Sequence, residues 1–155
     1  MKIEIPGRKS IEIKNIVFDY NGTIAIDGKL IKGVSDNMNA LADCFDFYVI
    51  TADTFGSVEK ELKDTNCNVI KILESAQDVS KLNFVKGLGP DITLAAGNGR
   101  NDSLMLKAAA VGIGILQEEG ICTETVFNSD ILLKSVLDVF KYLRDAKGLI
   151  ATLRN

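Results

Sequence analysis

The stretch with the clearest chemical content runs from Ile16 to Thr23, where three apolar residues lead directly into Asp19 and Asn21-Gly22 follow. This pattern is typical of a buried parallel strand that presents one carboxylate at the carboxyl edge of a sheet, where open α/β sheets bind ligands. Asn-Gly between two apolar runs is equally typical of a β-hairpin. A catalytic carboxylate can precede a hairpin, so this stretch alone leaves both interpretations open.

Two later strand ends carry similar polar clusters. Thr51-Ala52-Asp53 follows an apolar run, and residues 97–102 follow another. Lys81 or Lys86 lies on the helix predicted before the second of these. Each feature alone has a plain explanation as a helix cap, a first-turn acid or a solvated lysine. Because parallel strands end at one edge of a sheet, the clusters and a lysine can also meet there around Asp19.

The residue inventory restricts the available chemistry. The chain of 155 residues has no histidine, which excludes Ser-His-Asp triads, Cys-His dyads and histidine-ligated zinc. Cys44, Cys67 and Cys122 are odd in number and form no C-x-x-C motif, so we predict reduced, mostly buried thiols of an intracellular protein. Carboxylates, amides, hydroxyls, lysines and a hard metal ion remain as possible catalytic groups.

Charge and hydropathy predict a soluble cytoplasmic protein. The net charge is −3 with no basic stripe, which argues against a nucleic-acid partner. The longest apolar run, 108–116, is far shorter than the roughly 20 residues of a membrane-spanning helix. The first six residues include an acid and a proline, where a signal peptide has an apolar core.

The remaining pattern alternates strands with helices, which predicts βαβ units and a parallel sheet with helices on both faces. We expect one domain over 1–155, made of an N-terminal hairpin (1–14), a core (15–145) and a tail (146–155) that packs back or pairs with a partner. The predicted strands are 15–20, 46–51, 68–73, 91–96, 111–115 and 130–133, with a short flap at 23–32. The first predicted helix is capped by Ser35 or Asp36 and runs to about 44, and the second, 55–65, is capped by Asp53 or Thr54. Asp78 or Ser80 opens the third, which runs to about 88. The others run from Asp102 to about 110, near 121–127 and near 134–145.

Taken together, the motifs resemble a known family. Asp19-x-Asn21-Gly22-Thr23, Thr51-Ala-Asp53, Lys81 and Gly97-Asn-Gly-x-Asn101-Asp102 resemble, in order, the four motifs of the haloacid-dehalogenase-like (HAD) superfamily. The nearest branch is the soluble relatives of the P-type ATPase phosphorylation domain, which the closing 149–154 segment also resembles. The resemblance implies a three-layer Rossmann-like α/β fold and phosphatase chemistry.

The resemblance also implies a role for each matching residue. Asp19 would be the nucleophile that forms an aspartyl phosphate. Mg²⁺ would be held by hard oxygen ligands, namely Asp19, the Asn21 carbonyl, Asn98 and Asp102. The substrate phosphate would lie against Asp19, Gly22, Thr51, Ala52 and Lys81. In that group Thr51 would donate a hydrogen bond, and Lys81 would offset negative charge.

Two positions depart from the usual pattern. Asn21 stands where phosphatases of this superfamily carry an acid/base aspartate, and Asn98 stands where an aspartate usually holds the metal. Because general acid–base assistance contributes about 10²–10⁴ in rate, we expect a slow phosphohydrolase that is best on aryl or acyl phosphates. The alternatives are a non-catalytic or regulatory domain that binds Mg²⁺ and phosphate, and a structural subunit of an assembly. A response-regulator-like receiver ranks last.

The spacing between motifs predicts how open the site is. Residues 20–50 and 52–80 are too few for a cap domain or an ATP-binding insert once the flap, helices and strand are placed. An ATP-driven pump cycle is therefore excluded. An open site favours a phosphorylated small molecule of some bulk or a phosphoprotein, or else a homo-oligomer whose neighbouring subunit acts as the lid.

Overall fold

A computed structural model describes residues 1–7, 10–53 and 56–154. The strands are β1 (Lys2–Ile3), β2 (Ile11–Glu12), β3 (Asn15–Asp19), β4 (Ala25–Ile26), β5 (Lys29–Leu30), β6 (Asp46–Thr51), β7 (Asn68–Lys71), β8 (Thr93–Gly97), β9 (Val111–Ile115) and β10 (Ile131–Leu133). The helices are α1 (Val34–Leu41), α2 (Ser57–Glu61), α3 (Gln77–Leu88), α4 (Ser103–Ala108), α5 (Thr123–Phe127), α6 (Val136–Arg144) and α7 (Lys147–Leu153), with 3₁₀ turns at Pro90–Ile92 and Arg100–Asp102.

A six-stranded parallel sheet forms the middle layer, in the order β10-β9-β8-β3-β6-β7. Its central strand β3 sends Ile16 and Phe18 into one apolar core and Val17 into the other. A strand buried on both faces needs a continuous apolar run, which is what precedes Asp19. The predicted α/β fold class is confirmed, including the antiparallel pairing of β1 with β2 at the N-terminus.

Helices cover both faces of the sheet. Phe18, Phe47 and Phe140 meet in the larger core, with ring centroids 5.6–6.4 Å apart, and residues of α1, α6 and α7 join them. Residues of α3 and α4 pack with Val17 in the smaller core. The sheet is therefore held rigidly between two layers, so the ends of its strands are fixed in position.

The predicted flap after β3 is a short antiparallel hairpin of β4 and β5. Its turn residues Asp27 and Gly28 have φ angles of 49° and 74°. Asp-Gly is the preferred pair for a two-residue turn with both φ angles positive. Between β3 and α1 the described chain contains only this hairpin, in agreement with the predicted absence of a cap domain.

Several predicted element starts were wrong. Helix α1 begins at Val34 after Gly33, whose φ is 93°, and neither Ser35 nor Asp36 caps it. The Ser35 hydroxyl instead accepts a hydrogen bond from Thr65 Oγ1 at 2.7 Å. Helix α3 begins at Gln77, one residue before the predicted Asp78.

Two further element boundaries differ from the predicted ones for local reasons. The predicted strand 91–96 begins only at Thr93, because Pro90 starts a 3₁₀ turn. Helix α2 is one short turn rather than the predicted 55–65. Asp53 Oδ2 accepts from Val58 N at 3.0 Å, as a capping carboxylate would, whereas the alternative cap Thr54 lies outside the described residues.

The three cysteines are less buried than the sequence predicts. All three are free thiols, but Cys44 is exposed and Cys67 and Cys122 are only partly buried. Burial still raises the pKa of Cys67 to about 11. The prediction of mostly buried thiols was therefore wrong, because two of the cysteines lie at the ends of helices rather than inside the cores. Among the described residues, every helix is too short or too polar to cross a lipid bilayer.

The C-terminal tail folds as α7 and packs onto its own chain. Leu149 and Leu153 are buried in the larger core. The first of the two predicted alternatives, packing back, is the one that the structure shows.

We expect Leu149→Ala to lower the free energy of unfolding by about 2–5 kcal/mol, because it removes a fully buried side chain from a packed core. Thr152→Ala, on the exposed side of the same helix, is the matched control and should change stability by less than about 0.5 kcal/mol. Urea unfolding followed by circular dichroism measures both. Equal effects of the two variants would show that α7 does not contribute its apolar face to the core.

Candidate active site

The carboxyl ends of β3, β6 and β8 lie side by side because of their register. Asp19 stands opposite Ile50, so Thr51 is one residue further on, and Phe18 stands opposite Ala96, so Gly97 follows beside Asp19. A cleft of about 520 Å³ opens at this edge. Parallel pairing alone therefore brings the three polar strand ends to one opening, as the sequence predicts.

A buried lysine joins two carboxylates on the floor of the site. Lys81 Nζ lies 2.6 Å from Asp19 Oδ1 and 2.6 Å from Asp102 Oδ1. The Lys81 side chain is 1% exposed and that of Asp19 is 13% exposed. Lys86, the alternative left open by the sequence, is exposed and lies elsewhere on α3. One buried ammonium is thus shared by two carboxyl groups.

Burial and neighbouring charges shift the pKa values within this cluster. Desolvation alone would lower the pKa of Lys81, but Asp19 and Asp102 together outweigh it and raise the pKa. Burial, reinforced by Asp19, raises the pKa of Asp102 to about 7, against the opposing effect of Lys81. The two shifts thus have different main causes, namely neighbouring negative charge for Lys81 and loss of hydration for Asp102.

The loop after β8 is built around Asp102. Its Oδ2 atom accepts hydrogen bonds from Asn98 N at 3.0 Å and Gly99 N at 2.8 Å. A Cβ atom at Gly97 would come within 2.5 Å of the Asp102 side chain, so no larger residue fits there. Asp102 is fully buried and lies behind the cleft wall rather than on it.

Asn98 bridges two neighbouring loops. Its Oδ1 accepts from Thr23 Oγ1 at 3.3 Å, and its Nδ2 donates to the Gly120 carbonyl at 3.0 Å. Thr23 Oγ1 also lies 3.2 Å from Asp19 Oδ2. An aspartate at this position could not donate to Gly120, which gives a physical reason for the amide. A Cβ atom at Gly22 would collide with the Asn98 side chain.

Two of the predicted phosphate-binding residues lie at the carboxyl end of β6, where Thr51 is the last residue of the strand and Ala52 follows it. The Thr51 hydroxyl accepts from Asp53 N at 3.0 Å, which leaves its own proton to donate to another acceptor. Thr51 and Ala52 both line the cleft. The predicted residues on the cleft wall are therefore Asp19, Asn21, Thr51, Ala52, Lys81 and Asn98, whereas Gly22 and Asp102 support it from behind.

Solved structures of similar architecture were found. The 3-deoxy-D-manno-octulosonate 8-phosphate phosphatase of Moraxella catarrhalis, in complex with magnesium, phosphate and the sugar, has a TM-score of 0.69 at 19% identity, covering 90% of each chain. The cobalt-bound octulosonate 8-phosphate phosphatase of Haemophilus influenzae has a TM-score of 0.71 at 12% identity, covering 93% of this chain and 94% of that one. A HAD superfamily hydrolase of Legionella pneumophila has a TM-score of 0.69 at 15% identity, covering 91% and 87%.

This chain has the haloacid-dehalogenase-like fold.

Proteins related in sequence match less than half of this chain. Two uncharacterised proteins of Methanocaldococcus jannaschii are 40% identical over 62 residues and 44% identical over 39 residues. The matches cover 40% and 25% of this chain, and 67% and 89% of the archaeal proteins, so the chain belongs to one family with them. A mouse phospholipid-transporting ATPase is 37% identical over 70 residues, which are 43% of this chain but 6% of the ATPase. No family model matches the chain.

Within this HAD fold, Gln117 supports the turn after Asp19, a role that the sequence analysis did not predict. Gln117 Nε2 donates to the Thr23 carbonyl at 2.9 Å and lies 3.4 Å from that of Gly22. Its Oε1 accepts from Val136 N, at the start of α6, at 2.7 Å. Gln117 thus ties the turn after Asp19 to a distant helix. No local pattern around residue 117 indicates this role, because the partners are about 95 positions away.

The cleft wall contains further polar residues to which the sequence analysis gave no role. Asn101 Nδ2 donates to Gln77 Oε1 at 2.7 Å, which joins the loop after β8 to α3. Tyr20 OH donates to the Gly28 carbonyl at 3.0 Å and fixes the flap. Burial, with Glu61 and Asp53 nearby, raises the pKa of Tyr20 to about 12. The Tyr20 hydroxyl is therefore a neutral hydrogen-bond donor at physiological pH.

We expect Gly97→Ala to lower the free energy of unfolding by about 1–3 kcal/mol, because the new methyl group would push against the Asp102 side chain. Gly87→Ala is the control, since a Cβ atom there meets nothing within 4 Å. Inside helix α3 it should stabilise by about 0.4–1 kcal/mol. Urea unfolding measures the free energy of unfolding of both variants. If Gly97→Ala left this free energy unchanged, the tight packing of Gly97 against Asp102 would be contradicted.

Proposed function

We propose that the chain is a divalent-metal-dependent phosphohydrolase that forms a phosphoenzyme on Asp19. The observation that carries the proposal is the Asp19 carboxylate, held 2.6 Å from buried Lys81 at the open end of a parallel sheet and facing a cleft. The fold neighbours named as phosphatases support the same chemistry. The proposal includes a phosphorylated small molecule or phosphoprotein as substrate and a cytoplasmic location.

The residues present fit a hard divalent cation such as Mg²⁺. The buried cluster of Asp19, Lys81 and Asp102 places two carboxyl groups around one ammonium, and the carboxylate of Asp19 also faces the cleft, where a cation could reach it. Within the described ranges, no three acidic, cysteine or histidine side chains are placed to hold a metal ion together, so backbone and amide oxygens must contribute. Asp19, the Asn21 carbonyl, Asn98 and, by a small shift, Asp102 would hold the ion. When bound, it would neutralise charge on the phosphoryl oxygens.

The proposed first step is displacement at phosphorus by Asp19. A bond forms between a carboxylate oxygen and phosphorus, the ester P–O bond breaks, and its electron pair leaves with the alcohol or phenol oxygen. Lys81 stabilises the charge that gathers on the phosphoryl group, and the Thr51 hydroxyl donates a hydrogen bond to it. Attack by water then releases phosphate and regenerates the Asp19 carboxylate.

Asn21 sets the class of leaving group. It lines the cleft two residues after Asp19, where an acid could protonate the departing oxygen, but an amide has no proton to give near neutral pH. Phenolates and carboxylates leave without protonation, whereas alkoxides do not. The proposed enzyme therefore hydrolyses aryl and acyl phosphates faster than alkyl phosphates.

We expect Asp19→Asn to reduce Mg²⁺-dependent release of p-nitrophenol from p-nitrophenyl phosphate by at least about 10³-fold, because the nucleophile is lost. Asp43→Asn, an exposed acid at the end of α1, is the matched control and should retain the parent rate. Chelation of the metal with EDTA should abolish the parent's activity as well. An Asp19→Asn variant that is as active as the parent would refute the phosphoenzyme.

We expect Asn21→Asp to raise the rate on alkyl phosphates such as glycerol phosphate by about 10²-fold or more, since a general acid is restored. The rate on p-nitrophenyl phosphate should change far less, because its leaving group needs no proton. Phosphate release from both esters at equal protein and Mg²⁺ concentrations gives the comparison. If the alkyl rate stays at the parent value in a folded, metal-binding variant, this account of Asn21 is wrong.

A second candidate is a regulatory domain that keeps its phosphoryl group. Asn21 favours it, because loss of the acid/base residue also slows water attack on an aspartyl phosphate. Stable labelling of Asp19 by acetyl phosphate without release of phosphate would support this function over turnover. The third alternative, a structural subunit joined through the tail, has less support, because α7 packs onto its own chain.

A further inference from the structure

The cleft has an acidic outer wall that the proposed chemistry does not use. Asp53 follows β6, Glu74 precedes α3 and Glu119 follows β9, and all three line the same cleft as Asp19. Three separate segments therefore contribute a carboxylate to one opening. Glu74 and Glu119 are exposed, and neither forms a side-chain ion pair within the described part of the chain.

Among the described residues, the cleft lining contains four acidic side chains and one basic one. Lys81 is the one basic residue lining the cleft among the described residues, and Asp19 and Asp102 already hold it at 2.6 Å. Arg100 lies in a neighbouring groove that Glu74 also lines, and its Nε is 3.5 Å from Glu124 Oε2. A carboxylate or second phosphate on the leaving group would meet like charges here, whereas an ammonium group would meet opposite ones.

We propose that this acidic wall, Glu74 and Glu119 above all, selects phosphate esters by the charge of the leaving group. Esters of neutral or cationic alcohols and phenols are favoured, and esters that carry a further anion are disfavoured. The inference rests on the proposed function, since it names the substrate class of that same site. It places the octulosonate phosphate named for the Moraxella and Haemophilus enzymes in the disfavoured class, because an octulosonate is a carboxylate.

The test uses three aryl phosphates that differ in charge but have leaving phenols of similar acidity: phenyl phosphate, 4-carboxyphenyl phosphate and 4-(aminomethyl)phenyl phosphate. We expect kcat/KM to rise from the anionic to the neutral to the cationic ester, by up to about fivefold for each carboxylate that acts. Raising the salt concentration should shrink the difference, since exposed charges are screened.

Charge-neutralising variants test whether the acidic wall causes the dependence of kcat/KM on the charge of the ester. Glu74→Gln and Glu119→Gln should each reduce the cationic-to-anionic ratio, and the double variant should reduce it further. Glu118→Gln is the matched control, because Glu118 is an exposed acid next to Glu119 that does not line the cleft. Asp53 is left unchanged, since its carboxylate holds the start of α2.

The outcomes are distinguishable. Equal kcat/KM for the three esters, or a ratio that Glu118→Gln changes as much as Glu119→Gln does, overturns the charge selection while leaving the phosphatase proposal standing. No phosphate release from any of the three esters, with Mg²⁺ present, overturns the proposed function and this inference with it.

Discussion

An ammonium group buried between two carboxylates is the interaction on which the site depends. Lys81 on α3 meets Asp19 at the end of β3 and Asp102 in the turn before α4, so one contact joins three segments of the chain. Removal of one member of such a cluster leaves a buried charge unpaired, which typically costs about 3–5 kcal/mol. The same contacts fix the orientation of the Asp19 carboxyl group at the cleft, so stability and the proposed chemistry depend on the same three residues.

A second network of uncharged groups holds the loops around this cluster. Asn98 connects Thr23 to the Gly120 carbonyl, and Gln117 connects the turn after Asp19 to α6. Every one of these contacts uses an amide that donates and accepts at once, which a carboxylate cannot do. The amide at position 98 is thus explained by the loop contacts that it makes. Substitutions in this network would change geometry at Asp19 without touching it.

The shape and charge of the cleft complete the account of the site. The short β4–β5 hairpin leaves the opening uncovered, and Asn21 supplies no proton to a leaving group there. Glu74 and Glu119 line the same cleft as Asp19. A leaving group that departs unaided and carries no anion suits both features. The proposed substrate class therefore follows from the residues around the phosphoryl site rather than from the fold, which many activities share.

The sequence alone determined the fold class and the members of the central cluster. The apolar run into Asp19, the alternation of strands with helices and the four spaced motifs are local signals, and parallel strands necessarily bring their ends to one edge. Only the tertiary structure placed Asp102 behind the cleft wall and revealed Gln117 and the acidic wall. These depend on side-chain directions and on contacts between residues up to 95 positions apart, which no local pattern encodes. Helix starts failed for the same reason, since Ser35 bonds to Thr65 across the fold instead of capping its own helix.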